Sequence, residues 1–288
     1  MKNFLRYSFI IFLIFGVSLS YFAIQQGISR ATMAFFLIFS TVFFNLTVEN
    51  LIPYGNAIHP RPYVKDSILT IFNVFLTAKF GELGLTLAFA WLMKTYIASL
   101  TIFKSTELGP FWVQFLAVIL INEFIRYWVH VAQHKIPALW KFHSVHHSVK
   151  EIYSLNTFYT HPLDYFLRNN TAFPITLLIG FHRDAVLMTI AVTAISAICG
   201  HSRANFKFGW LNYIFSTNQL HRWHHSIKPK EANNNYGVGL CIWDLVFKTH
   251  YLPKDQEAPV NTGLHDEHPY VPSTFLEVLG FPFIKKMK

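Results

Sequence analysis

The sequence is poor in charge: 14% of its residues are charged, where a soluble domain carries about 25%. That deficit excludes an ordinary water-covered surface and implies that lipid covers much of the chain. Cysteine is almost absent. Cys199 and Cys241 form no Cys-x-x-Cys pair, which excludes an iron–sulfur cluster and a secretory disulfide framework and suits a reducing compartment. No Gly-x-Gly-x-x-Gly run is present, so no flavin or nicotinamide fingerprint can be read. The formal charge is +9, yet no dense basic run or recognition module accompanies it, which argues against nucleic acid as a partner. What remains is apolar: 52% hydrophobic, with 30 phenylalanines among 288 residues.

The apolar residues fall into runs. Tyr7 to Ile24 carries no charge and follows Lys2 and Arg6. It is long for a signal-peptide core and reads as a retained membrane helix. Ala31 to Val48 is a second uncharged run. Prolines make Asn56 to Pro62 a loop. Ser67 to Met93 is a third apolar stretch, interrupted by Lys79 and Glu82, which are spaced to pair on one helical face. Leu108 to Asn122 is a fourth and leads into Glu123. Asn169 to Phe181 and Ala185 to Gly200 are shorter and read as a shallow hairpin or two half-buried helices.

The expected fold is therefore all-α and integral to a membrane. It has about four transmembrane helices, a short membrane hairpin and a cytosolic helical histidine-rich metal cap. The divisions are 1–107 for the amino-terminal helices, 108–250 for a catalytic domain and 251–288 for a cytosolic tail. With Lys2 and Arg6 inside, four spans return the chain to the cytoplasm before the histidines, beside Lys135, Lys141, Lys150 and Arg222.

The 15 histidines are clustered. His130 and His134 are four apart. His143, His146 and His147 follow, and His221, His224 and His225 repeat the trio spacing. Separations of three and four share a helical face, so two imidazoles can meet one ion. Eight imidazoles exceed what one four-coordinate ion uses, whereas two ions could employ them. Unmetallated, such a group would repel itself once protonated. Lone histidines such as His161 and His201 read as hydrogen-bonded structural residues. Imidazole suits iron, zinc, copper and nickel, and spacing does not choose among them. Glu123, Asp164 and Asp244 are carboxylates able to orient a ligand N–H.

From Glu123 to Ser148, from His201 to Ser226, and at Asn235-Tyr-Gly and Trp243-Asp244, the chain resembles the fatty acid hydroxylase superfamily. The family order of His-x3-His, His-x2-His-His and a final His-x2-His-His is present. Tyr127-Trp128, Leu139-Trp140 and Arg222 also match, and the likeness covers roughly residues 115 to 250. It implies a membrane-bound non-haem centre of two iron ions on the cytosolic face. Its ligands would be His130, His134, His143, His146, His147, His221, His224 and His225, with His201 as a ninth. The resemblance also brings Glu123, Tyr127, Trp128, Asn235 and Asp244 forward as candidate catalytic residues. Three positions depart from the pattern: Tyr159 replaces an arginine, Asn218 a proline after Thr217, and Lys248 a glycine before Thr249.

The implied activity is O2-dependent hydroxylation or desaturation of a membrane lipid, fatty-acyl or sterol-like substrate. Electrons would come from an external cytochrome or ferredoxin with its reductase, steered by the basic face. A bacterial inner membrane is the expected location. Two other classes could use the same imidazoles: a membrane zinc hydrolase activating water, and a non-enzymatic metal transporter or sensor. Transport sites usually lie at mid-membrane depth, whereas these histidines follow the spans.

Overall fold

A computed structural model of the chain describes residues 2–28, 30–56, 63–76, 103–264, 272 and 274–283. The described residues are helical, with no strand and three isolated bridges, Pro53–Ala204, Phe215–Leu240 and Ser226–Thr262. The helices are α1 (Lys2–Leu5), α2 (Ser8–Gln25), α3 (Arg30–Leu51), α4 (Tyr63–Leu76), α5 (Phe111–Lys135), α6 (Pro137–His147), α7 (Pro162–Asn170), α8 (Ala172–Ile179), α9 (Arg183–Gly200), α10 (Asn218–His224), α11 (Pro229–Ala232), α12 (Ile242–Val246) and α13 (Phe275–Gly280). The third apolar stretch lies partly, and its charges Lys79 and Glu82 wholly, outside the described residues, as do residues 57–62 of the expected loop.

The chain divides into two compact units. The first comprises Met1–Tyr63, His146–Thr157 and Ala191–Val271; the second comprises Val64–Val145, Phe158–Ile190 and Pro272–Lys288.

In the first unit, α2 packs on α3, with Phe12 stacked on Phe44 at 4.3 Å. The polar side chains of α3 fold back on its own carbonyls. Thr41 donates to Leu37 at 2.6 Å and Asn45 to Thr41 at 3.0 Å. Such bonds let hydroxyls and amides sit in an apolar helix without a desolvation penalty. The core joins Phe9, Leu37, Val48, Ile52, Ile195, Cys199, Phe206 and Phe208. Glu49 is fully buried at the end of α3. It accepts from the backbone N–H of Ser154 and of Arg203, both at 2.9 Å. One carboxylate thus ties down the segments that follow His147 and His201.

In the second unit, α5 packs on α7 and α8. Val118, Ala185 and Val186 form its core, with Phe111, Phe115 and Phe181 against them. Gln114 seals the approach to α5 by donating to Gly109 and Ser105 and accepting from the His182 N–H at 2.8 Å. At 25 residues, α5 extends about 37 Å at 1.5 Å per residue, more than a bilayer core of about 30 Å. It exposes Trp112, Val113, Leu116, Leu120, Phe124 and Trp128 along one stripe. A soluble helix hides that stripe; a lipid-facing one shows it. The fourth apolar run and the first histidine pair are therefore one continuous helix. The 18-residue α9 is also long and apolar enough to cross a membrane, where the sequence suggested a shallow limb.

Candidate metal centre

Two groups of imidazoles stand out, one in each unit. In the second unit, Glu123, Tyr127, His130 and His134 follow a 4-3-4 spacing along α5, one helical face. The first three are buried. Ile136 breaks the helix with an extended backbone, and Pro137 opens α6. The bend brings His143 back to the pair: its Nε2 lies 3.0 Å from that of His130. The ligand nitrogens of His130, His134 and His143 are all within 4.8 Å of one another.

Asp164 organises this group. Both its oxygens face His143 Nδ1, at 3.1 and 3.2 Å. It also accepts from Gln133 at 2.6 Å and Thr160 at 2.7 Å, and pairs with Arg168 at 3.4 Å. With Nδ1–H given to the carboxylate, the His143 Nε2 lone pair is left for an ion. Burial pushes the Asp164 carboxyl up, against the pull of Arg168 and the Thr160 hydroxyl. His161 is the N-cap of α7, accepting from the Leu163 N–H at 3.1 Å.

In the first unit, His146, His201, His221 and His225 are all buried and bring one nitrogen each within 4.8 Å of the others. The Nε2 atoms form a chain: His146 to His201 at 3.1 Å, His201 to His221 at 2.9 Å, His221 to His225 at 3.1 Å. His147 and His224 sit beside it, with ring centroids 4.8 Å apart.

The chain tests whether a metal fits. A neutral imidazole nitrogen carries either one proton or one in-plane lone pair. Each Nε2 can therefore serve one neighbour well, so single hydrogen bonds satisfy at most two of the three contacts. A cation accepts all four lone pairs together. Two nitrogens about 2.0–2.1 Å from a tetrahedral ion lie roughly 3.4 Å apart, a few tenths of an ångström from the observed spacing. Burial and the surrounding imidazoles hold His225 well below the usual imidazole value, which keeps the ring neutral, with one nitrogen lone pair to offer. His201 donates Nδ1–H to the Ala197 carbonyl at 2.9 Å, and His224 donates to Asn234 at 2.7 Å. Both turn Nε2 away from the backbone as a donor atom.

The departures from the family pattern have local reasons. Asn218 is fully buried and donates to the carbonyls of Ser202 and Ala204 at 3.0 and 2.8 Å. One turn on, Arg222 bonds the same carbonyls and lies 4.0 Å over the Tyr54 ring. Together they clamp α10 to the segment after His201. Burial pushes Arg222 down to about 10, still protonated at neutral pH. Lys248 has φ +61°, the left-handed region where glycine is at ease. Tyr159 donates to the Pro272 carbonyl at 2.9 Å and carries the Lys65 ammonium over its ring at 4.5 Å.

The other candidate residues have distinct surroundings. Asn235, at φ 56°, bonds Leu220 at the middle of α10 and Tyr251 on the segment beyond α12. Asp244 accepts from Tyr236 N–H at 2.7 Å, Gly237 N–H at 2.8 Å and Thr249 Oγ1 at 2.7 Å. A Cβ at Gly237 would meet the Leu240 carbonyl and the Asp244 carboxylate, which explains Asn-Tyr-Gly beside Trp-Asp. This shelf sets Tyr236 against the His224 ring at 5.8 Å. Trp128 is 44% exposed, on the outer stripe of α5. Glu49, Gln133 and Arg168 were missed from sequence. A carboxylate closing an uncharged run was the available signal for Glu49.

Comparison with known proteins places the chain among lipid-modifying relatives. Residues 115–249 match the family model for fatty acid hydroxylase. The chain is 31% identical to an ornithine lipid hydroxylase of Rhizobium tropici over 86% of its own length and 74% of that protein. It is 28% identical to an alkylglycerol monooxygenase of Xenopus tropicalis, over 52% of this chain and 34% of the relative. A very-long-chain aldehyde decarbonylase of Oryza sativa is 24% identical over 51% of this chain and 56% of its own length. No solved structure matches.

Proposed function

This chain belongs to the fatty acid hydroxylase superfamily, and from that premise we propose that it is a membrane-bound di-iron oxidoreductase that uses O2 to hydroxylate or desaturate a lipid. The observation that carries the proposal is the chain of four buried Nε2 atoms, which protons alone do not satisfy and a cation does. His146, His201, His221 and His225 would hold one ion. His130, His134 and His143 are the nucleus of a second set, and the family likeness adds His147 and His224 as ligands. When bound, iron supplies the oxidising power that an unactivated C–H bond demands, with two electrons and two protons per O2 drawn from outside the chain.

The remaining work falls to the protein. Asp164, the Ala197 carbonyl and the Asn234 carbonyl select tautomers and hold ring planes. Asn218, Arg222 and Glu49 lock the segments that bear the ligands. Asn235 and Asp244 act as positioning residues through α10 and the shelf under His224. Burial excludes water from the imidazoles and so protects a reactive centre from side reactions. Glu123 and Tyr127, buried on the His130 face of α5, are the candidates to face the substrate.

The reach of the likeness to the ornithine lipid hydroxylase makes a polar acyl lipid of that kind the first substrate to test. The exposed stripe of α5 supports access from the bilayer, with the histidines at the cytoplasmic side and an external cytochrome or ferredoxin as electron donor. Comparative lipidomics of cells with and without the gene is the test. A lipid differing by one oxygen or two hydrogens is expected. An unchanged lipidome, with O2-independent hydrolysis by the purified protein, would replace this reading with the zinc hydrolase.

A further inference from the structure

Two short segments of the first unit are built inside out. The 3₁₀ turn Gly209–Tyr213 and helix α12 are joined by the Phe215–Leu240 bridge and by the Cys241 N–H bond to Ile214 at 2.9 Å. Tyr213 stacks on His250 at 5.2 Å, which lies just beyond α12. The polar side chains of both segments, Asn212 and Asp244, are buried. Leu211 packs on the core, but five large apolar side chains of these segments and the residue after α12 are exposed: Trp210 at 69%, Tyr213, Leu245, Val246 at 57% and Phe247. Trp243 stacks on Phe247 at 6.2 Å. A water-facing surface has the opposite arrangement.

The patch has a level relative to α2. Lys207 donates its N–H to the Arg6 carbonyl at 2.9 Å. Phe206 and Phe208 on either side pack on Phe9, at 5.8 and 6.1 Å. The stretch leading into the turn is thus pinned where Arg6 precedes the uncharged 18 residues of α2. Phe4 and Tyr7 are exposed there too. The rim is basic: Lys207 and Lys248 are exposed. Aromatic side chains beside Lys and Arg at the end of an uncharged helix are the composition of a headgroup-level belt.

We infer that Trp210, Tyr213, Leu245, Val246 and Phe247 form an interfacial foot that inserts into the headgroup layer of an anionic phospholipid leaflet. The inference rests on the membrane reading above. It adds a contact made by the histidine-bearing cap itself, independent of the spans. Such a foot enters about 5–10 Å into the headgroup and acyl boundary and strengthens as anionic lipid increases.

The test uses the full-length protein in vesicles of phosphatidylcholine with phosphatidylglycerol. Trp210→Cys and Val246→Cys are each labelled with an environment-sensitive fluorophore, with Tyr213→Cys in reserve should either fail to fold. Asp255→Cys, exposed and off the patch, is the reference. The native thiols are buried and stay unlabelled. Probes at 210 and 246 are expected to be blue-shifted, severalfold more quenched than at 255 by lipid spin-labelled near the carbonyl, and shielded from iodide. Equal iodide quenching at all three sites, with the protein still resistant to carbonate extraction, overturns the foot and leaves the spans standing. Release by carbonate overturns both. A blue shift that grows with protein concentration in detergent and is insensitive to spin-labelled lipid assigns the patch to a second copy and overturns the inference.

Discussion

Replacing Asp164 separates metal positioning from simple stability. The carboxylate is buried and serves His143, Gln133, Thr160 and Arg168 at once. Asp164→Ala strands the Arg168 guanidinium, and breaking a buried pair costs about 3–5 kcal/mol, a large share of a typical 5–15 kcal/mol. That variant is expected to accumulate poorly. Asp164→Asn keeps the shape and one acceptor oxygen but sets an amide NH2 among donors, at about 1–3 kcal/mol. It also removes the charge that holds His143 in its tautomer, which lowers metal affinity by about 10–100-fold. The assay is iron per chain during titration with a chelator, read beside thermal unfolding. Of the two irons proposed, one should leave Asp164→Asn first, because His146, His201, His221 and His225 do not depend on this carboxylate. Arg168→Gln is the control: it loses the ion pair but not the His143 bond, so it should unfold earlier while its chelator midpoint stays within about threefold of wild type. A wild-type midpoint in Asp164→Asn would refute the positioning role.

Other outcomes follow from the same geometry. His146→Ala should abolish iron retention and turnover while the protein still inserts; wild-type turnover in a metal-loaded variant would remove His146 from the ligand set. Glu49→Gln weakens charge-assisted bonds to Ser154 and Arg203 and should lower stability by about 1–3 kcal/mol, read as a lower unfolding midpoint in detergent; an unchanged midpoint would show that the clamp contributes nothing. Burial raises Asp244 to about 6, above its unfolded value, so its stabilising contribution is complete below pH 3.8 and is lost as pH rises through 6. The span of about two units corresponds to at most ~3 kcal/mol. Unfolding midpoints of wild type and Asp244→Asn between pH 4 and 7 should differ in slope in that sense, and parallel curves would contradict it. Burial raises the Cys241 thiol to about 12, so it should resist alkylation at pH 8 until the protein unfolds; rapid labelling of native protein would count against the packing.

The histidine clusters were legible because a helix repeats every 3.6 residues, and three-and-four spacing needs no tertiary knowledge. The assignment of His201 depended on resemblance, because its partners lie 20 and 55 positions away and no local period joins them. Asp164 could be suspected as a carboxylate near a ligand, but its partnership with His143 depends on the Ile136–Pro137 bend, which periodicity does not encode. Trp128 follows Tyr127 in the motif, yet one is exposed and the other buried, since adjacent residues diverge by about 100° on a helix. Asn218 and Lys248 read in the sequence only as departures from the family pattern. The first proved a clamp and the second a residue in the left-handed region, both backbone demands that a residue pattern conceals.

The central claim is best tested by the metal content and spectrum of protein purified without oxygen. About two irons per chain with a coupled di-iron Mössbauer signature are expected. A single ion, or stoichiometric zinc with no iron, would contradict it.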